Sequence, residues 1–361
     1  MPFSSTPSRR TALALLASLS VSPSLAAGAS LNDVARYLAG LPVAAGSPLE
    51  ALTQEPIWRT HAQQLNAAWA RLDAEQLAKI RAWSATHVTS PNRTLLYMFS
   101  GPDYLYARAF YPHARTYVLA GLELPGAAPD LLGMNVGLRQ RGLENLRLSM
   151  KTILHASFFV TADMQKELHG QGFLGVVPVL FVFLARSGME IRGLNYLRVN
   201  NDGLAEEVAT APAQRPSGLK ITFYDREAST ERVLYYFSVD LANAGLHPGF
   251  VKFLESQGAS DAFFKSASYL VHGANFSRIR NVLLERSRRI IQDDTGVRLD
   301  DYNRNEWNIR PFGRYSKPIP VFEGMYQPSM ARFFAEQKAE PLNFRLGYGT
   351  ESSSILLATR K

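Results

Sequence analysis

Three stretches of the chain hold side chains whose types and spacing could do chemistry. The first is Phe99-Ser100-Gly101-Pro102-Asp103-Tyr104-Leu105-Tyr106-Ala107, followed downstream by Glu123. Ser100 offers a hydroxyl, Gly101 lets a ligand approach the backbone, and Asp103 and Glu123 are acceptors for hydroxyl or amine groups. The plainer reading is a tight strand-to-helix turn with Asp103 as the helix cap. The second is Gln292-Asp293-Asp294-Thr295-Gly296. Adjacent carboxylates can bind a divalent cation or separate two pKa values for acid–base work. Neighbours point to opposite faces of a strand, so Asp293 and Asp294 could reach one ligand only in a turn, and an Asp-rich turn closed by Gly296 is the simpler alternative. The third, Trp307 to Phe322, places Arg310, Arg314 and Lys317 among aromatics and prolines. A guanidinium such as that of Arg314 suits an anionic or sugar ligand, whereas a tight edge strand with packed aromatics needs no ligand. These give the candidate ligand contacts Ser100, Gly101, Asp103, Glu123, Asp293, Asp294 and Arg314.

Other chemistries find less support. The histidines, His61, His87, His113, His155, His169, His247 and His272, include no pair at the short helical spacing of a zinc site, so no metal is expected. With no cysteine, disulfides, thiolate metal sites and a Cys nucleophile are excluded. No Gly-x-Ser-x-Gly elbow is present, so catalytic residues are left unassigned.

The elements that must position these residues follow from periodicity and breakers. Ser30 caps an expected first helix carrying Leu31, Val34, Ala35 and Leu38, which Gly40 and Pro42 end. Pro56 opens a second, with Trp58, Leu65, Trp69 and Leu72 on one face, and Asp73 caps a third. From Pro91 the character changes. Thr94–Phe99, the turn at 100–103, a short helix at 104–110 and a strand at 115–122 form a strand–loop–helix–strand unit. In a nucleotide-binding unit of that form the first turn approaches the ligand, and an acid after the second strand holds ribose hydroxyls. Further on, 129–170 reads as mainly helical. The segments 176–184 and 190–199 read as two strands joined in a hairpin near Ser187-Gly188. Strands at 219–224 and 232–239, a helix at 248–257, and a helix capped by Asn275 or Ser277 come next. The stretch 263–272 fits helix or strand. A strand at 288–292 precedes three last strands at 308–315, 342–348 and 354–359, the final two expected to pair as a hairpin.

The fold class expected is α/β: three layers, with a partly parallel sheet ending in an antiparallel hairpin and a helical N-terminal segment ahead of it. The alternative is α+β with a mainly antiparallel sheet. The expected divisions are an export signal at 1–29, helices at 30–90 and an α/β domain at 91–361, with 209–218 as the candidate for a surface loop or internal boundary.

Composition bounds the function classes. Of 361 residues, 46% are hydrophobic and 19% charged, enough to bury a core. The net charge of +8 is spread along the chain without a dense basic tract, so no nucleic-acid partner is expected. Ser8-Arg9-Arg10-Thr11-Ala12-Leu13 precedes an apolar run from Ala12 to Val21, too short for a permanent anchor of about 20 residues. Pro23 then precedes two small-x-small cleavage sites, Ser24-Leu25-Ala26 and Ala27-Gly28-Ala29. The arginine pair resembles the twin-arginine (Tat) consensus, with a Sec signal as the alternative. A periplasmic or secreted protein is expected, whose only implied protein partner is the export machinery.

Taken together, FSGPDYLYA, QDDTG and FGRYSKPIPVF resemble blocks of an uncharacterised family of signal-peptide-bearing bacterial proteins, which implies no activity. The layout from residue 91 onward is similar to class I methyltransferase-like Rossmann domains, but only Gly101 stands where a dinucleotide or S-adenosylmethionine loop has two or three glycines, and Pro102 removes an N–H. The expectation is therefore an exported protein binding a small polar ligand at the 99–107 loop, or else an enzyme or degenerate enzyme on a methyltransferase-like fold. No cofactor is specified.

Overall fold

The computed structural model describes residues 28–156, 158, 173–209, 217–348 and 353–361. The expected signal, residues 1–27 of it, and the centre of the 209–218 segment lie outside them.

A strand–helix–strand pair sets the frame. β1 (Thr94–Tyr97) and β2 (Thr116–Gly121) run parallel in the register Thr94 to Thr116, joined through α4 (Tyr104–Phe110). β6 (Thr230–Ser238) adds parallel to β2, while β7 (Ser260–Phe264) and then β8 (Ser287–Gln292) add parallel on the other side of β1. β10 (Ser354–Arg360) lies antiparallel between β8 and β9 (Trp307–Gly313). On the far edge β5 (Gly218–Asp225), β3 (Met189–Val199) and β4 (Ala205–Glu207) are antiparallel, giving ten strands in the order β4-β3-β5-β6-β2-β1-β7-β8-β10-β9. The molecule is α/β with a mixed sheet, antiparallel at both ends; the five adjacent parallel strands at its centre set it in this class and not in the α+β alternative.

Side chains alternate across the strands, and so do the two cores. Leu95, Tyr97, Tyr117, Leu119 and Phe263 face one side, where they pack with α1 (Leu31–Leu38), α2 (Pro56–Leu72), α3 (Ala78–His87), α4, α5 (Val136–Ala156) and α6 (Val177–Arg186). Leu96, Val118, Ala120, Ala262 and Phe264 face the other, against α7 (Pro248–Ser256), α8 (Ser277–Arg286) and α9 (Pro328–Glu336). The N-terminal helices share the first core: Trp83 packs edge-on against Phe110, Phe312 and Phe344 at ring separations of 5.7, 5.1 and 6.3 Å.

Several expectations are corrected. The apolar run at 176–184 is a helix, α6, not a strand. Its residues 177–185 are all buried, so no polar face marks the helical period, and Pro178 sits in the first turn, where a missing N–H costs nothing. Gly188 (φ +76°) leads from α6 into β3, so the expected hairpin is a helix-to-strand turn. Asp73 caps nothing: α2 passes through a π turn at Asp73–Leu77 into α3, and the Asp73 carboxylate pairs with Arg81 at 2.9 Å. Neither Asn275 nor Ser277 caps α8; Asn243 does so from a distant loop, its Oδ1 accepting Arg278 N–H at 3.0 Å. The 342–348 segment is not a strand, because β8 and β9 already occupy both edges of β10. Its backbone is satisfied by side chains instead: Arg345 N–H donates to Gln76 Oε1 and Leu346 N–H to Ser353 Oγ, each at 2.7 Å. The terminal antiparallel pair is β9 with β10. Among the described residues no helix is long and apolar enough to cross a membrane.

Candidate functional site

β1 is the point from which the chain winds in opposite directions, through β2 and β6 on one side and β7 and β8 on the other. The loops leaving β1 and β7 therefore part, and a crevice opens outside the carboxyl ends of the strands. A cavity of about 560 Å³ lies there, bordered by Tyr97, Phe99, Ser100, Gly101, Asp103, Glu123, Asp240 and Lys265 among others.

Its base is a buried ion pair. Asp103 caps α4, its Oδ1 accepting Tyr106 N–H at 3.0 Å. Its Oδ2 accepts the Tyr97 hydroxyl at 2.8 Å and meets Lys265 Nζ at 2.9 Å, with the two charged side chains 1% and 2% exposed. Burial, followed by the adjacent Asp103, holds the Tyr97 phenol well above its ordinary pKa, so it remains a donor. The Lys265 ammonium also lies over the Tyr106 ring, 4.3 Å from its centre. Thus Asp103 is both cap and cavity wall, with its charge compensated from below. Tyr104 packs edge-on against Tyr117 and Phe223 in the core, and neither it nor Tyr106 lines the cavity.

The loop after β1 does not present amides to a ligand. Ser100 N–H (2.8 Å) and Gly101 N–H (3.3 Å) both fold back onto the Ala120 carbonyl, and Ser100 Oγ donates to Gly101 O at 2.8 Å. Pro102 has no N–H to give. Glu123 sits opposite. Among the described residues its only hydrogen-bond partner is the Tyr236 hydroxyl, 3.2 Å from Oε2 and 2.8 Å from the Glu123 carbonyl. The carboxylate lies directly over Gly121 and Gly101: a Cβ at Gly121 would fall 2.4 Å from Oε2. A carboxylate has room for about four donors, so Glu123 keeps acceptor capacity for a guest. Asp240, after β6, also borders the cavity, though its Oδ1 accepts Ala242 N–H at 2.9 Å within its own turn.

The wall contributed by the loop after β7 is strained. Ser266, Ser268 and Tyr269 have φ of 52°, 53° and 61°, and Phe99 across the cavity has 60°. Left-handed non-glycine residues cost of order 1–3 kcal/mol each and persist only where the surroundings impose them. Asp293 and Asp294 belong to that support. Asp293 Oδ2 accepts Ser266 N–H at 2.8 Å, its Oδ1 accepts Thr295 N–H and hydroxyl at 2.9 and 2.6 Å, and Thr295 Oγ1 accepts Ala267 N–H at 2.7 Å. Asp294 Oδ2 accepts the Tyr269 hydroxyl at 2.5 Å. Tyr348 donates to Ser266 O at 3.0 Å and meets Ser268 Oγ at 2.6 Å. The acids lie in a turn after β8, behind the wall and not on it. Burial, then the Asp294 carboxylate, pushes Asp293 up to about 7 against the hydrogen bonds from Thr295 and Ser266; burial also raises Asp294.

Ser100, Gly101, Asp103 and Glu123 are therefore brought together, Asp293 and Asp294 support them from outside, and Arg314 is elsewhere. Arg314 is exposed and borders a separate surface cavity with Lys79 and Arg345. Lys265, Ser266 and Asp240 were not foreseen. The signal for Lys265 was its place one residue past the carboxyl end of a parallel strand, hidden while 263–272 fitted helix or strand. His61 and His272 are each lowered to about 4, chiefly by burial, and bond to the carbonyls of Leu38 and Gly296 at 2.8 and 2.7 Å. Both are neutral packing groups at neutral pH. Among the described residues no cluster of three or more His, Asp or Glu is placed to hold a metal ion. No family model matches the chain, and no curated protein matches it.

The acid pair makes a testable demand. The folded pKa of Asp293 stands above its ordinary 3.8, so between about 4 and about 7 the folded chain holds a proton that the unfolded chain has lost. Stability from this group is present at low pH and is lost as pH rises through that window. Urea unfolding of wild type and Asp293→Asn at stepped pH should show the wild type losing ground against the variant between about pH 4 and 7. Parallel curves would mean that Asp293 ionises as an ordinary carboxylate.

Proposed function

We propose that this is an exported protein which binds a small polar ligand in the cavity at the carboxyl ends of β1, β2, β6 and β7. The observation that carries the reading is Glu123: a largely buried carboxylate with one side-chain donor, set over two glycines on the wall of an open cavity. Such a group is kept without full internal compensation where a guest supplies the missing donors. A volume near 560 Å³ suits a molecule of nucleoside or glycoside size.

A second reading is favoured by one observation. The order β6-β2-β1-β7-β8-β10-β9, with β10 alone reversed among these seven strands, is similar to that of class I methyltransferase-like domains. On this reading the chain is an enzyme or degenerate enzyme, and Glu123 would hold ribose hydroxyls. Against live methyl transfer stand the single glycine of the first loop and the amides turned onto Ala120. S-adenosylmethionine is moreover a cytoplasmic metabolite.

Native mass spectrometry of the protein purified from the cells that make it tests the first reading. Wild type should carry a bound small molecule and Gly121→Ala, which displaces the Glu123 carboxylate, should not. Bare masses for both would contradict it. Titration with S-adenosylmethionine separates the second reading: binding that disappears in Glu123→Gln would favour it over the first.

Export is proposed on Ser8-Arg9-Arg10 and the apolar run after it. Replacing Arg9 and Arg10 together by Lys should leave unprocessed precursor in the cytoplasm, because the Tat receptor reads the arginine pair as an address. Normal processing of that variant would point to Sec.

A further inference from the structure

The base and the mouth of the cavity differ in chemistry. Among the described residues, the buried carboxylates of Asp103 and Glu123 and the exposed one of Asp240 border the cavity with one ammonium, that of Lys265, which is held by Asp103 at 2.9 Å. In the loop after β1 the Ser100 and Gly101 amides, which could have met an anion, are spent on Ala120. At the mouth stand Leu122, Leu270 and Val321, which are 61%, 41% and 75% exposed. A lone exposed aliphatic residue is ordinary, but three around one opening are not. They come from three connections remote in sequence: after β2, after β7, and between β9 and β10. Phe276, Ile319 and Phe322 continue the apolar lining inward from them.

We infer that the ligand is a non-anionic amphiphile, with a head rich in O–H or N–H donors seated at Glu123 and an apolar body lying across Leu122, Leu270 and Val321. The inference rests on the reading of this cavity as the ligand site and adds the class of molecule. An anionic head would meet the Glu123 and Asp240 carboxylates with the Ser100 and Gly101 amides already spent, and a wholly polar ligand would leave the apolar mouth in water. A head that donates hydrogen bonds supplies what Glu123 lacks, and an apolar body removes the exposed aliphatic surface from solvent.

Isothermal titration calorimetry with octyl glucoside, methyl glucoside and sodium octanoate, each below its micellar concentration, tests this on the full mature chain. Octyl glucoside should bind at least about tenfold more tightly than methyl glucoside, since each buried methylene adds to affinity. It should also bind at least about tenfold more tightly than octanoate, whose carboxylate meets the Glu123 side. Val321→Asp, at a position 75% exposed, should remove the preference for the octyl chain, and Glu123→Gln should weaken the glucoside head. Equal affinity for methyl and octyl glucoside, both lost in Glu123→Gln, would overturn the amphiphile while leaving the cavity as the site. Octanoate binding as tightly as octyl glucoside would overturn the non-anionic head. Binding of octyl glucoside unaffected by either substitution would place it outside this cavity and overturn the inference. Absence of a co-purified small molecule in native mass spectrometry would, separately, remove the underlying reading.

Discussion

The buried pair between Asp103 and Lys265, 2.9 Å apart, ties the two directions of the sheet together where they part. Asp103 stands at the start of α4 after β1, and Lys265 follows β7, the neighbour of β1 on the other side. Taking two charges out of water is costly, and their mutual attraction offsets that only when the remaining hydrogen bonds are also made. Here they are: Tyr97 and the Tyr106 amide complete Asp103, and the Tyr106 ring lies beneath the ammonium. The pair closes the bottom of the crevice and engages Lys265, the one cation bordering it among the described residues. Glu123 remains to meet a guest and gives the cavity acceptor character.

Around that base the walls are held under strain. The Ser266–Tyr269 loop takes up left-handed conformations that serine and tyrosine do not favour, and the turn after β8 imposes them through Asp293, Asp294 and Thr295. Those acids are costly in turn, since burial opposes their ionisation. Strain in one loop is thus maintained by buried carboxyl groups in the next. This arrangement makes sense where the position of a wall matters more than its stability.

Much of the frame was legible in the sequence because it is local. Thr94 to Leu122 alternates strand, turn, helix and strand within thirty residues, so the parallel pair and the placing of Ser100, Gly101, Asp103 and Glu123 follow from periodicity and breakers alone. What was not legible depends on distant partners. The 177–185 run looks like a strand because every side is buried, which removes the period that would identify a helix. Arg345 and Leu346 are satisfied by Gln76 and Ser353, contacts no local pattern announces. Lys265 matters only because Asp103, far away in sequence, lies beside it. Asp293 and Asp294 were recognised as unusual, but their targets are backbone groups of a loop whose conformation the sequence did not specify.

The claim that the Asp103–Lys265 pair underpins the cavity is tested most directly by a double-mutant cycle in urea unfolding, using Asp103→Asn, Lys265→Met and the double variant. Removing either partner alone leaves a buried charge uncompensated and should cost about 3–5 kcal/mol. Removing both leaves none, so the double variant should be more stable than the sum of the single losses by about 2–3 kcal/mol. Single-variant losses that add to within about 0.5 kcal/mol would show that the two charges are not coupled and would contradict the account.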